Sequence, residues 1–299
     1  MMEVTRVDAP YSPRGRMARI VSCCAAALLV TAGCASKPAV VPTATTAATK
    51  APGSLPSTLV AAMPGTLAWD FENELRQGLN GKVALAILAV NSDRAMTLGD
   101  WTVGPAWSSI KVPLTLAALR ANPGYTGAAS NAITNSDNAA ADMLWQSLGT
   151  PEVAAQAVQD VLREGGDNTT KVPANRSRSD YSAFGQAEWA IADQLTFAAH
   201  LPCLPQSDSV TTLMGKISSG QRWGLGTLTG AQFKGGWGPD TSGDYLVRQF
   251  GLIPVTGGQV AIAIAAQPTS GSFDDGTAML TKIAGLIDAH LSELRGGKC

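Results

Sequence analysis

The chain of 299 residues predicts an α+β fold, an antiparallel sheet flanked by helices with an all-helical subdomain inserted between the two parts of the sheet. Three observations carry that prediction. Two β-like runs surround a polar turn early in the chain, a block of helical periodicity follows, and the C-terminal part returns to strand-like runs before one closing helix.

In chain order, "GKVALAILAVNSDRAMTLGDW" places β-like runs on both sides of the polar "NSDR", which reads as a hairpin over residues 82–101. A helix begins close to Ser108, because Pro113 is tolerated only near a helix start and "TLAALRA" continues the pattern. "SDNAAADMLWQSLG" gives a second helix. "TPEVAAQAVQDVLREGG" has a Thr cap, Pro at the first helical position, an apolar face of Val153, Ala157, Val158, Val161 and Leu162, and a Gly stop. "QAEWAIADQLTFAAHL" is a further helix ended by Pro202, with Glu188 near its start, where the helix dipole alone explains an acid. "FKGGW", "YLVRQFGLIPV" and "QVAIAIAAQ" read as three strands, and "GTAMLTKIAGLIDAHLSEL" as the last helix.

Bulk composition excludes several function classes. With 45% hydrophobic residues and a mean hydropathy of +0.08, the chain suits one ordinary globular domain. The net charge of −1 and the lack of a basic cluster interleaved with aromatics give no reason to expect a nucleic-acid partner. The only two histidines, His200 and His290, have no acidic or cysteine neighbours at ligand spacing, so neither a metal site nor a Ser-His-Asp triad is expected.

The amino terminus reads as a targeting segment. Arg14, Arg16 and Arg19 precede the short apolar run "IVSCCAAALLV", with Met17 an alternative initiator. "VTAGCAS" resembles a bacterial lipobox with Thr31 in place of the usual leucine, and that resemblance implies a lipid on Cys34, with residues 1–33 removed. A plain signal peptide cut nearby is the alternative. Residues 34–66, rich in Ala, Thr and Pro, are too poor in bulky apolar groups to fold and are expected to form a tether, followed by one domain over 67–299. The implied location is the extracytoplasmic face of the cell membrane, held by the lipid anchor. Cys23 and Cys24 leave with the signal, so Cys203 and Cys299 remain as one expected disulfide, with two free thiols as the alternative.

Three short motifs concern chemistry. Ser108-Ser109-Ile110-Lys111 puts a lysine amine one helical turn from a serine hydroxyl, "SDN" occupies 136–138, and "KGGWGPD" starts at Lys234 on an expected strand. Taken singly, each has a bland reading: a Ser cap with a solvated lysine, an ordinary helix start at Ser136 and Asp137, a strand-end charge at Lys234, a core aromatic at Trp237. In this order, they resemble the S-x-x-K, S-D-N and K-T-G motifs of the class A β-lactamases and penicillin-binding proteins. "VLREGGDNTTKV", "QRWG" and "YLVRQFGL" also look like their counterparts there, which extends the resemblance over roughly residues 70–299.

The resemblance implies a β-lactamase/transpeptidase-like fold and a serine acyl enzyme without a cofactor. Ser108 is then the nucleophile and Lys111 its base, with the lysine's pKa lowered by the charge of Lys234. Ser136 relays the proton to the leaving nitrogen and Asn138 orients the substrate amide. The backbone N–H groups of Ser108 and Trp237, after Gly235 and Gly236, form the oxyanion hole, and Lys234 attracts the substrate carboxylate. The implied ligand is a peptidoglycan stem peptide or a β-lactam, bound by a monomer.

Three departures qualify this. Gly235 lacks the hydroxyl that family members turn on the substrate carboxylate, and the segment from Ser108 to Ser136 is much shorter than in class A enzymes, which opens the cleft. Counted from Asn168 of "GDN", the place of the Ω-loop glutamate that activates the deacylating water falls on Arg176, with Asp180 and Glu188 as substitutes. Slow or absent deacylation is expected, and a catalytically inactive binding or regulatory module of the envelope is the alternative function.

Overall fold

A computed structural model describes residues 64–299. The expected signal peptide over 1–33, the lipidated Cys34 and nearly all of the expected tether over 34–66 lie outside the described residues. The described chain starts with a short helix α1 (Leu67–Asp70), which runs through a wider turn over Phe71–Leu75 into the sheet. Strands β1 (Gly81–Ala89) and β2 (Met96–Gly99) form the expected antiparallel hairpin, with Ala84 opposite Gly99 and Ile87 opposite Met96.

The main sheet has five strands in the order β2-β1-β7-β6-β5, with β5 (Gln232–Pro239), β6 (Tyr245–Val255) and β7 (Gly258–Pro268) from the C-terminal part. All pairings are antiparallel. β6 and β7 are buried almost along their whole length, because both faces of the sheet are covered. Helix α8 (Phe273–Ala289) packs on the face that carries Val247 and Gln249, where Gly276 lets it approach Val247. Helix α6 (Ile191–His200) covers the other face, where Phe197 meets Phe250 and Gln194 meets Arg248.

Helices α2 (Lys111–Ala121), α3 (Thr126–Thr134), α4 (Asn138–Ser147) and α5 (Pro151–Glu164) form the inserted helical block. α2 is buried from Lys111 to Leu119 because the other three pack around it. α7 (Asp208–Met214) follows α6 and packs against α3 and β5.

Four details correct the sequence reading. The α-helix starts at Lys111, and Ser108 sits in a tighter turn over Trp107–Ile110 that precedes it. α3 was not expected, since its run "TGAASNAIT" shows little apolar periodicity. Val153 is 53% exposed, and Ala154 and Ala155 take its place with Val158, Val161 and Leu162 on the buried face of α5. Glu188 does not begin a helix: it lies on a short strand β4 (Glu188–Ala190) that pairs with β3 (Val103–Pro105), and α6 starts only at Ile191.

Cys203, in the turn after α6, is bonded to Cys299, with Cα atoms 5.3 Å apart and a sequence separation of 96. No described helix is long and apolar enough to cross a membrane.

Candidate active site

Strand β5 is an edge strand, and the Trp107–Ile110 turn packs against the side of it that Gly236 and Gly238 face. Glycines make the approach possible. A Cβ at Gly236 would stand 2.6 Å from Ala106 O and 2.9 Å from Ser108 N, and one at Gly238 would enter the Trp107 ring. Gly236 therefore acts by having no side chain: it lets the Ser108 backbone N–H lie alongside β5. On the other side, Asp137 caps α4 by accepting from Ala140 N at 2.8 Å, which leaves Ser136 outside the helix.

Two residues here hold backbone conformations that non-glycine residues rarely adopt, Trp107 with φ +49° and Ser136 with φ +57°. Such conformations persist where surrounding structure over-determines them, and they concentrate at functional sites. The Ser136 conformation turns its hydroxyl onto Lys234 Nζ, which donates to Ser136 Oγ at 2.8 Å and to Gly235 O at 2.9 Å. Lys111 Nζ donates to Ser136 O at 2.6 Å and to Asn138 Oδ1 at 2.7 Å. The bland reading of Lys234 as a surface charge is thus excluded, since it is completely buried and its amine is shared with Ser136, whereas the helix start expected at Ser136 and Asp137 is present, with Asp137 as the cap of α4.

These residues surround one cavity of about 260 Å³, lined by Trp107, Ser108, Lys111, Ser136, Asn138 and Trp237 on one part and by Arg176, Asp180 and Tyr181 of the 171–182 loop on the other. Ser108, partly exposed, faces it. Its hydroxyl makes no hydrogen bond among the described residues, so the expected Ser108–Lys111 contact is not formed and the lysine is held by the SDN segment instead.

The electrostatics also differ from expectation. Burial pulls the Lys111 pKa down to about 8, while Asp137 and Asp142 pull it up. The charge of Lys234 was expected to cause this, and it does not. Lys234 is itself the group that yields: burial first, then the charge of Lys111, hold its amine well below the ordinary lysine range.

Behind the turn lies a network that the sequence did not announce. The fully buried Ser109 donates to Ala106 O at 2.5 Å and accepts from Gln194 Nε2 at 3.0 Å. Gln194 Oε1 in turn accepts from Arg248 Nη2 at 2.9 Å. Arg248, fully buried, also donates to the carbonyls of Gly104, Pro105 and Trp189, and its guanidinium lies 5.0 Å from the Trp101 ring centroid. The uninterrupted strand pattern "YLVRQFGLIPV" with one arginine inside it was the available signal.

The 171–182 loop is fixed at both ends. Asp167 Oδ1 accepts from the N–H groups of Thr169 and Thr170, and Arg163 donates to the carbonyls of Asp167 and Thr170. Arg178 lies 4.4 Å over the Tyr181 ring and donates to Pro239 O, which ties the loop to the end of β5. Arg176, which the sequence count set at the place of the glutamate, lines the cavity; Asp180 lines it too, and Glu188 does not. Asp142, one turn beyond Asn138 on α4, is a cavity carboxylate that the motif reading missed, though the (i, i+4) spacing from Asn138 pointed to it. Among the described residues no group of His, Cys, Asp or Glu could hold a metal ion.

The arrangement of sheet and helical block is that of known structures. The TLA-3 extended-spectrum β-lactamase superposes with a TM-score of 0.61 at 15% identity, over 76% of this chain and 98% of that one. The chain has the β-lactamase fold. A class A β-lactamase from Bacteroides cellulosilyticus gives 0.62 at 16% identity over 77% and 99%, and a β-lactamase from Chitinophaga pinensis gives 0.60 at 18% over 72% and 96%. No protein-family model and no curated protein sequence matches the chain. At such identities the likeness concerns the fold, and the chemistry has to be argued from this chain's own residues.

Proposed function

We propose that the β-lactamase-like domain is a serine acyl enzyme acting on β-lactams or peptidoglycan-type peptides, borne on a lipid-anchored envelope protein. The observation that carries the reading is the convergence of Ser108, Lys111, Ser136 and Asn138 on one cavity, with the buried Lys234 of a third distant segment bonded to Ser136. In the proposed step, Ser108 Oγ attacks the substrate carbonyl and its proton passes to the neutral form of Lys111. Ser136 Oγ accepts from Lys234, which leaves its own hydrogen free for the departing nitrogen.

Hydrolysis of the adduct is the weaker half. Counted from Asn168, Arg176 takes the place of the class A glutamate, and Asp180 and Asp142 are the carboxylates at the cavity. Loss of a general base typically slows the step it serves by about 100- to 10,000-fold, so the adduct is expected to persist. Incubation with a fluorescent penicillin, followed by intact-protein mass measurement, tests the reading: a long-lived adduct absent from Ser108→Ala supports it.

A binding module is the second reading, and one observation favours it: the Ser108 hydroxyl has no hydrogen-bonded base. No adduct at millimolar penicillin, with reversible binding retained, would select that reading. Recovery of the full chain in the membrane fraction, lost on Cys34→Ala, tests the lipid anchor.

A further inference from the structure

In the motif that Lys234-Gly235-Gly236 resembles, a hydroxyl at the second position turns on the substrate carboxylate. Here that position is not merely empty. A Cβ at Gly235 would lie 3.3 Å from Trp223 Cη2, 3.6 Å from Trp223 Cζ2 and 3.6 Å from Trp237 Cζ3, so the space over Gly235 is bounded by two indole edges. Trp223 and Trp237 pack edge to face with centroids 5.8 Å apart, and Phe273 continues the cluster at 5.5 Å from Trp237 and 6.1 Å from Trp223. All three rings are half-buried and so keep some surface in solvent, and Trp237 lines the Ser108 cavity.

The lysines of the site are already engaged, Lys111 with Ser136 O and Asn138 Oδ1. Lys234 is fully buried and donates to Ser136 and Gly235, and the Arg222 guanidinium lies over the Phe233 ring. Arg176, the cavity's guanidinium, belongs to the 171–182 loop. A carboxylate placed along β5 would lose its hydration against indole carbon without a donor in return, whereas a neutral ring would gain apolar and edge-to-face contact. The Trp223 carbonyl accepts from Gln249 Nε2 at 2.9 Å, so the backbone that carries this indole is anchored.

We propose that Trp223 and Trp237 set the preference of the Ser108 site within the acyl-donor class: a donor whose leaving group, lying along β5, carries a neutral aromatic ring reacts faster than one that places a carboxylate there, so β-lactams and peptidoglycan-type peptides are its slower substrates. The proposal rests on Ser108 as the acyl acceptor. The acyl–oxygen bond of the ester breaks as the bond to Ser108 Oγ forms, and the Ser108 proton ends on the departing alcohol, so the step needs no other reactant.

Three hippuryl esters separate the contributions: phenyllactate, with ring and carboxylate; 2-phenylethanol, with the ring alone; and ethanol, with neither. Acyl-enzyme formation on the wild type, with Ser108→Ala as blank, is expected to be at least tenfold faster with the phenylethyl ester than with either of the others. The double variant Gly235→Thr, Trp223→Ala, which opens space for a hydroxyl, is expected to shift preference toward phenyllactate. The wild-type ranking stands even where that variant does not fold. Faster reaction with phenyllactate, equal rates for the phenylethyl and ethyl esters, or reaction with penicillin but with none of the esters overturns the preference and leaves the acyl-enzyme reading intact. No Ser108-dependent reaction with penicillin or any ester overturns both.

Discussion

The two sides of the Ser108 turn are built on opposite principles. Behind it, Ser109, Gln194 and Arg248 are fully buried, and each spends its polar atoms on a partner. In front, Ser108 is partly exposed with an unbonded hydroxyl, and Lys111 sits beside it with a pKa moved toward neutrality. The difference assigns the tasks: the buried network holds the turn in place, so that the open side can leave the Ser108 hydroxyl unbonded while the Lys111 amine is held by Ser136 O and Asn138 Oδ1.

Breaking the buried side should have the largest effect. Arg248→Met takes the guanidinium away from the carbonyls of Gly104, Pro105 and Trp189 and from the Gln194 amide oxygen, in a region where Arg248 and Gln194 are fully buried. Each orphaned buried acceptor costs about 1–3 kcal/mol, so a loss of at least ~3 kcal/mol is expected in urea unfolding. Arg248→Lys retains the charge but not the planar fork and should fall between. An unchanged midpoint in the Met variant would show that the network does not support the turn.

The open side is sharpened by pH. A base works only when deprotonated, and Lys111 titrates at about 8. Acylation should therefore rise with pH, by about tenfold between pH 7 and 9, and then level off. A flat profile over that range would mean that Lys111 is not the base. A smaller change should follow from Asp142→Asn. Asp142 raises the Lys111 pKa, so its neutralisation should move the profile toward lower pH and increase the rate at pH 7 by about two- to threefold, with the gain screened by salt.

The same contrast explains what the sequence disclosed. That Ser108, Lys111, Ser136 and Lys234 come together was legible because they stand in the order of the S-x-x-K, S-D-N and K-T-G motifs that they resemble, and the strands β5 to β7 because burial on both faces leaves near-continuous apolar runs. Arg248 and Gln194 were not, since a buried polar residue inside a strand or helix has no periodic signature and its partners lie far away in sequence. The direction of the lysine coupling was likewise hidden: only the depth of Lys234 decides which amine gives up its proton first. The Trp223 edge over Gly235 joins two segments that no local pattern relates.

The smallest expected effect lies far from both sides of the turn and serves as their control. His290 Nε2 is 2.9 Å from Asp70 at the end of α1, its Nδ1 meets Glu293, and Glu293 also accepts from Leu67 N at 3.2 Å. Burial opposes protonation of this histidine, but the hydrogen bond and charge of Glu293, joined by Asp70, outweigh it and raise the pKa above the ordinary 6.5. A group whose folded pKa is raised contributes stability that is complete below the unfolded value and fades as pH rises through the folded one. Melting temperature should therefore carry a contribution that declines from about pH 6 upward and is missing in His290→Gln. Partly exposed ion pairs are worth at most about 1 kcal/mol, so a shift of only a few degrees is expected. Acylation by penicillin should keep the wild-type pH profile in this variant, because α1 and the C-terminal turn do not line the cavity. Parallel melting curves for wild type and His290→Gln across pH 5.5–8 would show that the cluster does not hold α1 to the C-terminal segment. A changed acylation profile would mean that the two ends of the domain are coupled to the turn.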